Sequence, residues 1–286
     1  MAGTLEPSLR PGISSNRLRS LIRRPSFCIG EALLHCRKRP SDRRHIFVVG
    51  PPRSGTTLVQ HILLAHPAVT GPEPETRFFF RWNISDLPWP DLEAAAIGIA
   101  RSGARNTIEY FDRIATEYCR NFGAERFLEK TPEHALRMDF IRRYFPRSYV
   151  VCAVRDPRDA YLSAQRNVAM KAKHIDDYIF LWERCARVID RWCTDAMVHV
   201  VKYEDLCSDP QGLVSRLLET VGLPAAPAIL RERSRAGSSV ATQRGHERLA
   251  ESIAGLTVGS WREALPKNEL EKFQRVEDLL IRFGYE

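Results

Sequence analysis

The chain has 286 residues, enough for one large α/β domain with a buried core. Its hydrophobic fraction of 44% and charged fraction of 27% are those of an ordinary globular protein, and the net charge of +8 favours anionic partners. No apolar stretch approaches the roughly 18 residues of a membrane span. The seven cysteines are scattered without a C-x-x-C pair, which argues against a zinc ribbon or a disulfide scaffold and favours a reducing, cytoplasmic location.

The first 44 residues form a basic lead-in that is rich in arginine and lacks the apolar core of a secretory signal. We interpret this segment as a solvated arm with a short helix at about residues 27–37. A transit peptide, or peripheral contact with an anionic membrane, would fit the same composition. A single domain is expected over residues 45–286.

Apolar patterning predicts alternating strands and helices. Three short β-branched runs predict buried strands at residues 45–49, 149–154 and 199–203. Helical spacing of apolar side chains predicts helices at residues 56–66, 133–145, 156–167, 211–221 and 268–283. This alternation predicts a P-loop-type α/β fold, with a parallel sheet flanked by helices.

A candidate phosphate loop, G-P-P-R-S-G-T-T, follows the first strand at residues 50–57 and opens a helix. Backbone N–H groups and the positive end of the helix dipole converge on an anion in this context. The glycine allows close approach of the backbone, the threonines offer hydroxyl groups, and the arginine offers a charged fork. The candidate ligands are Arg53, Ser54, Gly55, Thr56 and Thr57.

The loop has the spacing of a Walker A motif, but Thr56 stands where that motif has its lysine. The second strand ends in Arg155 and Asp156, and Asp156 is better placed to cap the following helix than to hold Mg²⁺. A P-loop nucleotide kinase or NTPase is therefore disfavoured but stays an alternative. A non-enzymatic module that binds polyanions is a second alternative, and a tight turn without a ligand is the simplest one.

Several motifs, in this order, resemble the PAPS-dependent sulfotransferase superfamily, where PAPS is 3′-phosphoadenosine-5′-phosphosulfate. The loop P-R-S-G-T-T resembles the branch that includes tyrosylprotein and many carbohydrate sulfotransferases. The runs V-R-D-P-R-D-A-Y-L-S at residues 154–163 and V-K-Y-E-D-L at 201–206 resemble its 3′-phosphate and Y-E-D-L elements. Residues 71–77 and 129–132 resemble segments that hold the branch's catalytic glutamate and lysine.

The resemblance implies transfer of a sulfuryl group from PAPS to an acceptor hydroxyl, with 3′,5′-adenosine bisphosphate (PAP) as product. Glu75 is the expected general base, with Glu73 and His134 as alternatives. Lys130 and Arg53 are the expected partners of the sulfonate and the bridging oxygen. The phosphate leaving group requires no metal, and the sequence shows no cluster of metal ligands.

The other cofactor contacts also follow from the resemblance. Arg155 and Ser163 are expected to hold the 3′-phosphate, and Tyr203 is expected near the adenine. Trp261 and Arg262 are expected in a closing C-terminal loop.

The acceptor is predicted least well by the sequence. A hydroxyl of a carbohydrate or glycolipid is the first expectation, a peptide tyrosine the second and a small phenol the third. We expect no nucleic-acid partner, and the sequence does not determine the oligomeric state.

Overall fold

Five parallel strands form the centre of the molecule, in the order β2-β3-β1-β4-β5. The computed structural model describes residues 34–35, 38–81, 84, 87, 89–167, 174–225 and 258–285. The strands are β1 (Ile46–Val49), β2 (Val69–Thr70), β3 (Arg126–Lys130), β4 (Tyr149–Val154) and β5 (Val198–Lys202). The middle strand β1 pairs with β3 on one side and with β4 on the other. The predicted parallel α/β sheet is confirmed.

The apolar runs in the sequence predicted β1, β4 and β5 but not β2 and β3. The strand β2 has only two residues, and β3 ends in the charged pair Glu129 and Lys130. Both of these side chains are buried. A polar sequence can form a buried strand where its charges find partners inside the protein, and an apolar-run criterion cannot anticipate that.

Helices cover both faces of the sheet. The described helices are α1 (Thr56–Leu64), α2 (Ala94–Ser102), α3 (Thr107–Phe122), α4 (Met138–Tyr144), α5 (Pro157–Gln165), α6 (Ile175–Trp192), α7 (Tyr203–Ser208), α8 (Pro210–Thr220), α9 (Trp261–Ala264), α10 (Lys267–Leu270) and α11 (Glu277–Phe283). Three 3₁₀ turns are Phe78–Phe80, Pro132–Arg137 and Glu271–Val276. The single helix predicted at residues 268–283 is therefore divided into three short pieces.

The alternation of side chains along β1 divides the core between the two faces. Ile46 and Val48 belong to the cluster formed with α1, α7 and α8. Phe47 and Val49 belong to the opposite cluster, formed with α3, α4 and α6. Both faces of β1 are buried, which explains why its sequence is a continuous apolar run.

The carboxyl ends of β1, β3 and β4 meet at one edge of the sheet, as they must in a parallel arrangement. The phosphate loop, Lys130 and Arg155 each follow or end one of these strands. This edge is therefore where the candidate site forms. Most of the basic lead-in at residues 1–44 lies outside the described residues, and no helix in the described part is long and apolar enough to span a membrane.

Candidate active site

The turn between β1 and α1 has the features of an anion site. Gly55 is the N-cap of α1 with φ 87°, no side chain caps the helix, and its first turn carries no acidic residue. A β-carbon at Gly55 would lie 2.8 Å from the Tyr203 ring. The hydroxyl of Ser54 is buried without a hydrogen-bond partner in the described part of the chain. A phosphate group would satisfy both the helix N-terminus and this hydroxyl.

Arg53 connects the phosphate loop to α5. Its Nε donates a hydrogen bond to Ser163 Oγ at 3.2 Å, so residues from the expected 5′ and 3′ elements meet. Burial lowers the pKa of the Arg53 guanidinium, and the charge of Arg155 lowers it further. The two neighbouring guanidinium groups concentrate positive charge at this point and so favour an anion.

Arg155, at the end of β4, packs on the ring of Tyr203. Its guanidinium carbon lies 4.0 Å from the ring centroid. Burial raises the pKa of Tyr203 to about 12, so the phenol is neutral at physiological pH. Because the same ring limits the space at Gly55, Tyr203 brings the phosphate loop and the end of β4 together.

Helix α6 donates hydrogen bonds to the turns that follow β1 and β4. The Tyr178 hydroxyl donates to the carbonyl oxygen of Pro52 at 3.0 Å, and the Trp182 indole donates to that of Arg155 at 3.3 Å. The two side chains are four residues apart and so share one face of the helix. The sequence analysis predicted neither hydrogen bond.

The C-terminal segment is anchored to α5 through Asp159. This carboxylate accepts hydrogen bonds from the backbone N–H groups of Gly259 at 2.5 Å and Trp261 at 3.0 Å. It also accepts one from the Ser260 hydroxyl at 2.9 Å. The guanidinium of Arg262 lies 4.5 Å from the Trp261 ring. The structure thus places Trp261 and Arg262 beside the expected 3′-phosphate element.

Arg158 links this segment to the end of β4. Its guanidinium lies 3.7 Å from the Trp261 ring on one side and pairs with both oxygens of Asp156, at 2.7 to 3.2 Å. Asp156 also accepts the backbone N–H of Arg158 at 2.9 Å, so the predicted helix cap is confirmed.

Glu75 and Lys130 contact each other at the carboxyl end of β3. Lys130 Nζ lies 3.2 Å from Glu75 Oε1, and the side chains are 5% and 33% exposed, respectively. Glu75 Oε2 is 3.9 Å from the guanidinium of Arg77, which is half-exposed. A buried ammonium requires a partner, whereas the carboxylate remains accessible to an incoming hydroxyl.

The two alternative bases lie in different surroundings. Glu73 is exposed, and its carbonyl oxygen accepts a hydrogen bond from Gln60 at 3.2 Å. His134 is fully buried, its Nδ1 donates to Glu129 at 2.9 Å, and its Nε2 accepts the N–H of Phe79 at 3.2 Å. Because both ring nitrogens already have hydrogen-bond partners, His134 has no nitrogen available to take the proton of an acceptor hydroxyl.

The arrangement fits a donor that carries anionic groups at two ends. The phosphate loop and Arg53 would hold one end, and Arg155 and Ser163 the other. Among the described residues, no group of histidine, cysteine and acidic side chains could hold a metal ion.

Comparisons with known proteins address the family. The Sulfotransferase family matches residues 45–227. A protein-tyrosine sulfotransferase A from Caenorhabditis elegans is 25% identical over 260 residues, covering 84% of this chain and 67% of the relative. Protein-tyrosine sulfotransferase 1 from Danio rerio is 24% identical, covering 86% of this chain and 73% of the relative.

Solved structures share the fold. The sulfotransferase domain of an olefin synthase from Synechococcus matches with a TM-score of 0.61 at 19% identity, covering 88% of this chain and 98% of that domain. A mouse sulfotransferase in complex with PAP matches with a TM-score of 0.51 at 12% identity, covering 87% of each chain.

The family match spans more than half of the chain and includes the phosphate loop, Lys130 and the Arg155 element. It sets aside both the P-loop kinase and the non-enzymatic module. The chain therefore belongs to the Sulfotransferase family and is a PAPS-dependent sulfotransferase.

Proposed function

We propose that this enzyme sulfates the phenolic hydroxyl of a tyrosine in a peptide, with Glu75 as the general base. The observation that carries the proposal is the contact between Glu75 and Lys130 at the carboxyl end of β3, beside the phosphate loop. It places a carboxylate that can take a proton next to a cation that can stabilise negative charge.

In this mechanism, PAPS supplies a sulfuryl group on a phosphate leaving group. Glu75 accepts the proton of the acceptor hydroxyl as the new oxygen–sulfur bond forms, and the bridging oxygen leaves with the electron pair of the broken bond. Lys130 and Arg53 stabilise the charge that develops on the sulfonate and the bridging oxygen. Because Lys130 Nζ lies 3.2 Å from Glu75 Oε1, the ammonium is held next to the carboxylate that takes the proton.

The remaining residues hold the donor. Ser54, Gly55, Thr56 and Thr57 bind the 5′-phosphosulfate through hydroxyl and backbone N–H groups. Arg155 and Ser163 bind the 3′-phosphate.

The adenine would pack near Tyr203, whose ring already carries Arg155 on one side. Trp261 and Arg262 would close the site from the segment that Asp159 anchors.

The relatives named protein-tyrosine sulfotransferases support a tyrosine over the carbohydrate hydroxyl expected from the sequence. A phenol, with a pKa of about 10, gives up its proton to a carboxylate more readily than an aliphatic hydroxyl does. Two groups on the segment that follows Glu75 suit such an acceptor. Phe80 is 39% exposed beside His134 and offers an aromatic surface, and Arg77 offers a cation next to Glu75.

The test measures transfer from radiolabelled PAPS to a panel of acceptors at equal concentration. The panel contains a tyrosine peptide flanked by aspartates, the same peptide with phenylalanine for tyrosine, 4-nitrophenol and a neutral disaccharide. We expect label on the tyrosine peptide and none on the phenylalanine control. Label on the disaccharide alone would overturn the acceptor assignment and return it to a sugar hydroxyl.

A further inference from the structure

We propose that Glu129, a residue that the sequence did not single out, is a positioning residue that holds Glu75 and Lys130 in register for transfer. This inference rests on the roles proposed above for that pair. Glu129 is fully buried in β3 and immediately precedes Lys130. Its carboxylate links this strand to the loop that carries Glu75.

Three donors satisfy the carboxylate of Glu129. The hydroxyls of Thr76 and Thr131 each donate to Oε1 at 2.7 Å, and His134 Nδ1 donates to Oε2 at 2.9 Å. Burial raises the pKa of Glu129, but the hydrogen bonds from His134, Thr131 and Thr76 lower it below its ordinary value. With three donors directed at it, the group is an ionised carboxylate, which can only accept hydrogen bonds.

The same three donors receive consecutive backbone N–H groups of the acceptor-side loop. Thr131 Oγ1 accepts the N–H of Arg77 at 3.0 Å, and Thr76 Oγ1 accepts that of Phe78 at 3.1 Å. His134 Nε2 accepts the N–H of Phe79 at 3.2 Å. The segment that follows Glu75 is therefore fixed to Glu129 through two successive layers of hydrogen bonds.

The direction of these bonds depends on the charge of Glu129. An acceptor-only carboxylate draws the hydroxyl protons of Thr76 and Thr131, and the Nδ1 proton of His134, toward itself. Their lone pairs are then available for the backbone N–H groups. A glutamine would present an amide donor to at least one of these partners, and that partner would lose its place in the network.

The loop needs this support because it is strained. Arg77, two residues after Glu75, has φ 52° without being glycine, a left-handed conformation that L-residues other than glycine rarely adopt. On the other side of Glu75, Gln60 holds the carbonyl oxygens of Pro72 and Glu73 at 2.9 and 3.2 Å. If the Glu129 network is lost, the second half of the loop can relax and Glu75 can move away from Lys130.

The experiment compares Glu129→Gln with the wild-type enzyme in steady-state kinetics and in PAP binding by calorimetry. We expect kcat to fall by about 10–100-fold, the range for residues that orient a reacting group without contacting the substrate themselves. The Kd of PAP should stay within about two-fold of the wild-type value. A variant that folds with unchanged kcat would overturn the proposal, as would one whose PAP affinity falls in parallel with kcat.

A matched control distinguishes positioning from general loss of stability. The structure contains a second carboxylate–imidazole pair, in which the partly buried Asp112 lies 2.7 Å from the buried His45 and accepts the Ser41 hydroxyl at 2.9 Å. It lies at the amino end of β1, away from the site. Asp112→Asn should lower the Tm much as Glu129→Gln does and leave kcat unchanged. An equal fall of kcat in both variants would show that the effect is one of stability.

A second pair of variants covers the case in which Glu129→Gln does not fold. Thr76→Val removes one hydroxyl from the network, whereas Thr76→Ser keeps it. We expect Thr76→Val to lower kcat by about 5–10-fold, as the loss of one hydrogen bond of about 1 kcal/mol implies, and Thr76→Ser to recover most of it. Equal kcat values for the two variants would contradict the proposal.

The final arm separates this inference from the proposed function by placing Glu129→Gln in a Glu75→Gln background. If Glu129 acts through Glu75, its substitution should have little further effect on kcat in that background. A fully additive effect would overturn the positioning role. Unchanged kcat in Glu75→Gln alone would instead contradict the assignment of the base, whatever Glu129 does.

Discussion

The proposed active site has a donor half, which comprises residues 53–57, Arg155 and Ser163, and an acceptor half, which comprises Glu75 and Lys130. The two halves are built by different means. The donor half consists of two strand-to-helix turns, after β1 and β4, and within each turn the residues proposed to bind the donor lie close together along the chain. The acceptor half depends on side chains from segments that are more than 50 residues apart, joined through Glu129. The conformation of each donor turn is therefore determined by local backbone geometry, whereas the acceptor half is held by a buried polar network.

This difference predicts a separation of effects. Substitutions in the donor half should act on cofactor affinity, because the proposed role of those residues is to hold the cofactor whether or not the acceptor is bound. Substitutions in the acceptor half should act on turnover, because Glu75 and Lys130 are needed only as the proton and the sulfuryl group move. The predictions below test this separation, beginning with the largest expected effect.

Glu75→Gln should lower kcat by 10²–10⁴-fold, the usual contribution of a general base, with the Kd of PAP nearly unchanged. Glutamine keeps the size of the side chain and an oxygen toward Lys130, but it cannot take the proton. The measurement is the initial rate at saturating PAPS, with PAP binding measured on the same preparation. Glu73→Gln serves as the control and should retain its rate; a reversal of the two results would move the base to Glu73.

Arg155→Ala should weaken PAP binding by about 10–150-fold, which corresponds to the 1.5–3 kcal/mol of a hydrogen bond to a charged group. The affinity for AMP, which lacks the 3′-phosphate, should change much less. Calorimetric titrations with both nucleotides measure the difference. Arg191→Ala, an exposed arginine 3.4 Å from Asp139, is the control and should bind both ligands normally. Equal losses for PAP and AMP would contradict the 3′-phosphate assignment.

The same contrast explains what the sequence could predict. The phosphate loop could be predicted from its own residues, because the motif is contiguous and lies between a strand and a helix. The roles of Arg155, Ser163, Glu75 and Lys130 were predicted through the family resemblance. Glu129 was not predicted, because its contacts with Thr76 and Thr131 exist only in the folded chain. In addition, β3 carries too much charge to be predicted as a strand.

Asp159 was missed for a related reason, since its partners lie about 100 residues further along the chain. Nothing in the local D-P-R-D-A run indicates that its second aspartate holds a C-terminal segment. The resemblance predicted Trp261 and Arg262 near the cofactor, and in the structure Asp159 holds their segment against α5.

Asp159→Asn should therefore weaken PAP binding by about five-fold. The amide retains one acceptor oxygen but turns a donor toward either the Gly259 N–H or the pair formed by Ser260 and Trp261, which costs about 1 kcal/mol. Thermal-shift titration with PAP measures the change. Asp176→Asn, an exposed aspartate paired with Lys272, is the control. Unchanged PAP affinity would show that the segment does not close over the cofactor.

The smallest effect is expected for Tyr178→Phe, which removes only the hydroxyl that donates to the carbonyl oxygen of Pro52. The loss of one buried hydrogen bond should cost about 1 kcal/mol of stability and weaken PAP binding by about two- to three-fold, because the phosphate loop loses a support but no ligand. Tyr110→Phe is a matched control: its hydroxyl accepts the Trp89 indole N–H at 3.2 Å, and it packs against Phe78 in the core.

Both variants should lower the Tm by a few degrees, and only Tyr178→Phe should change the Kd of PAP. If neither variant changes the Kd of PAP, the local geometry of the turn after β1 is sufficient for binding the cofactor without support from Tyr178. The donor half would then depend on distant residues even less than we propose. If both variants change the Kd equally, cofactor affinity follows global stability, and the separation between the two halves of the site is lost.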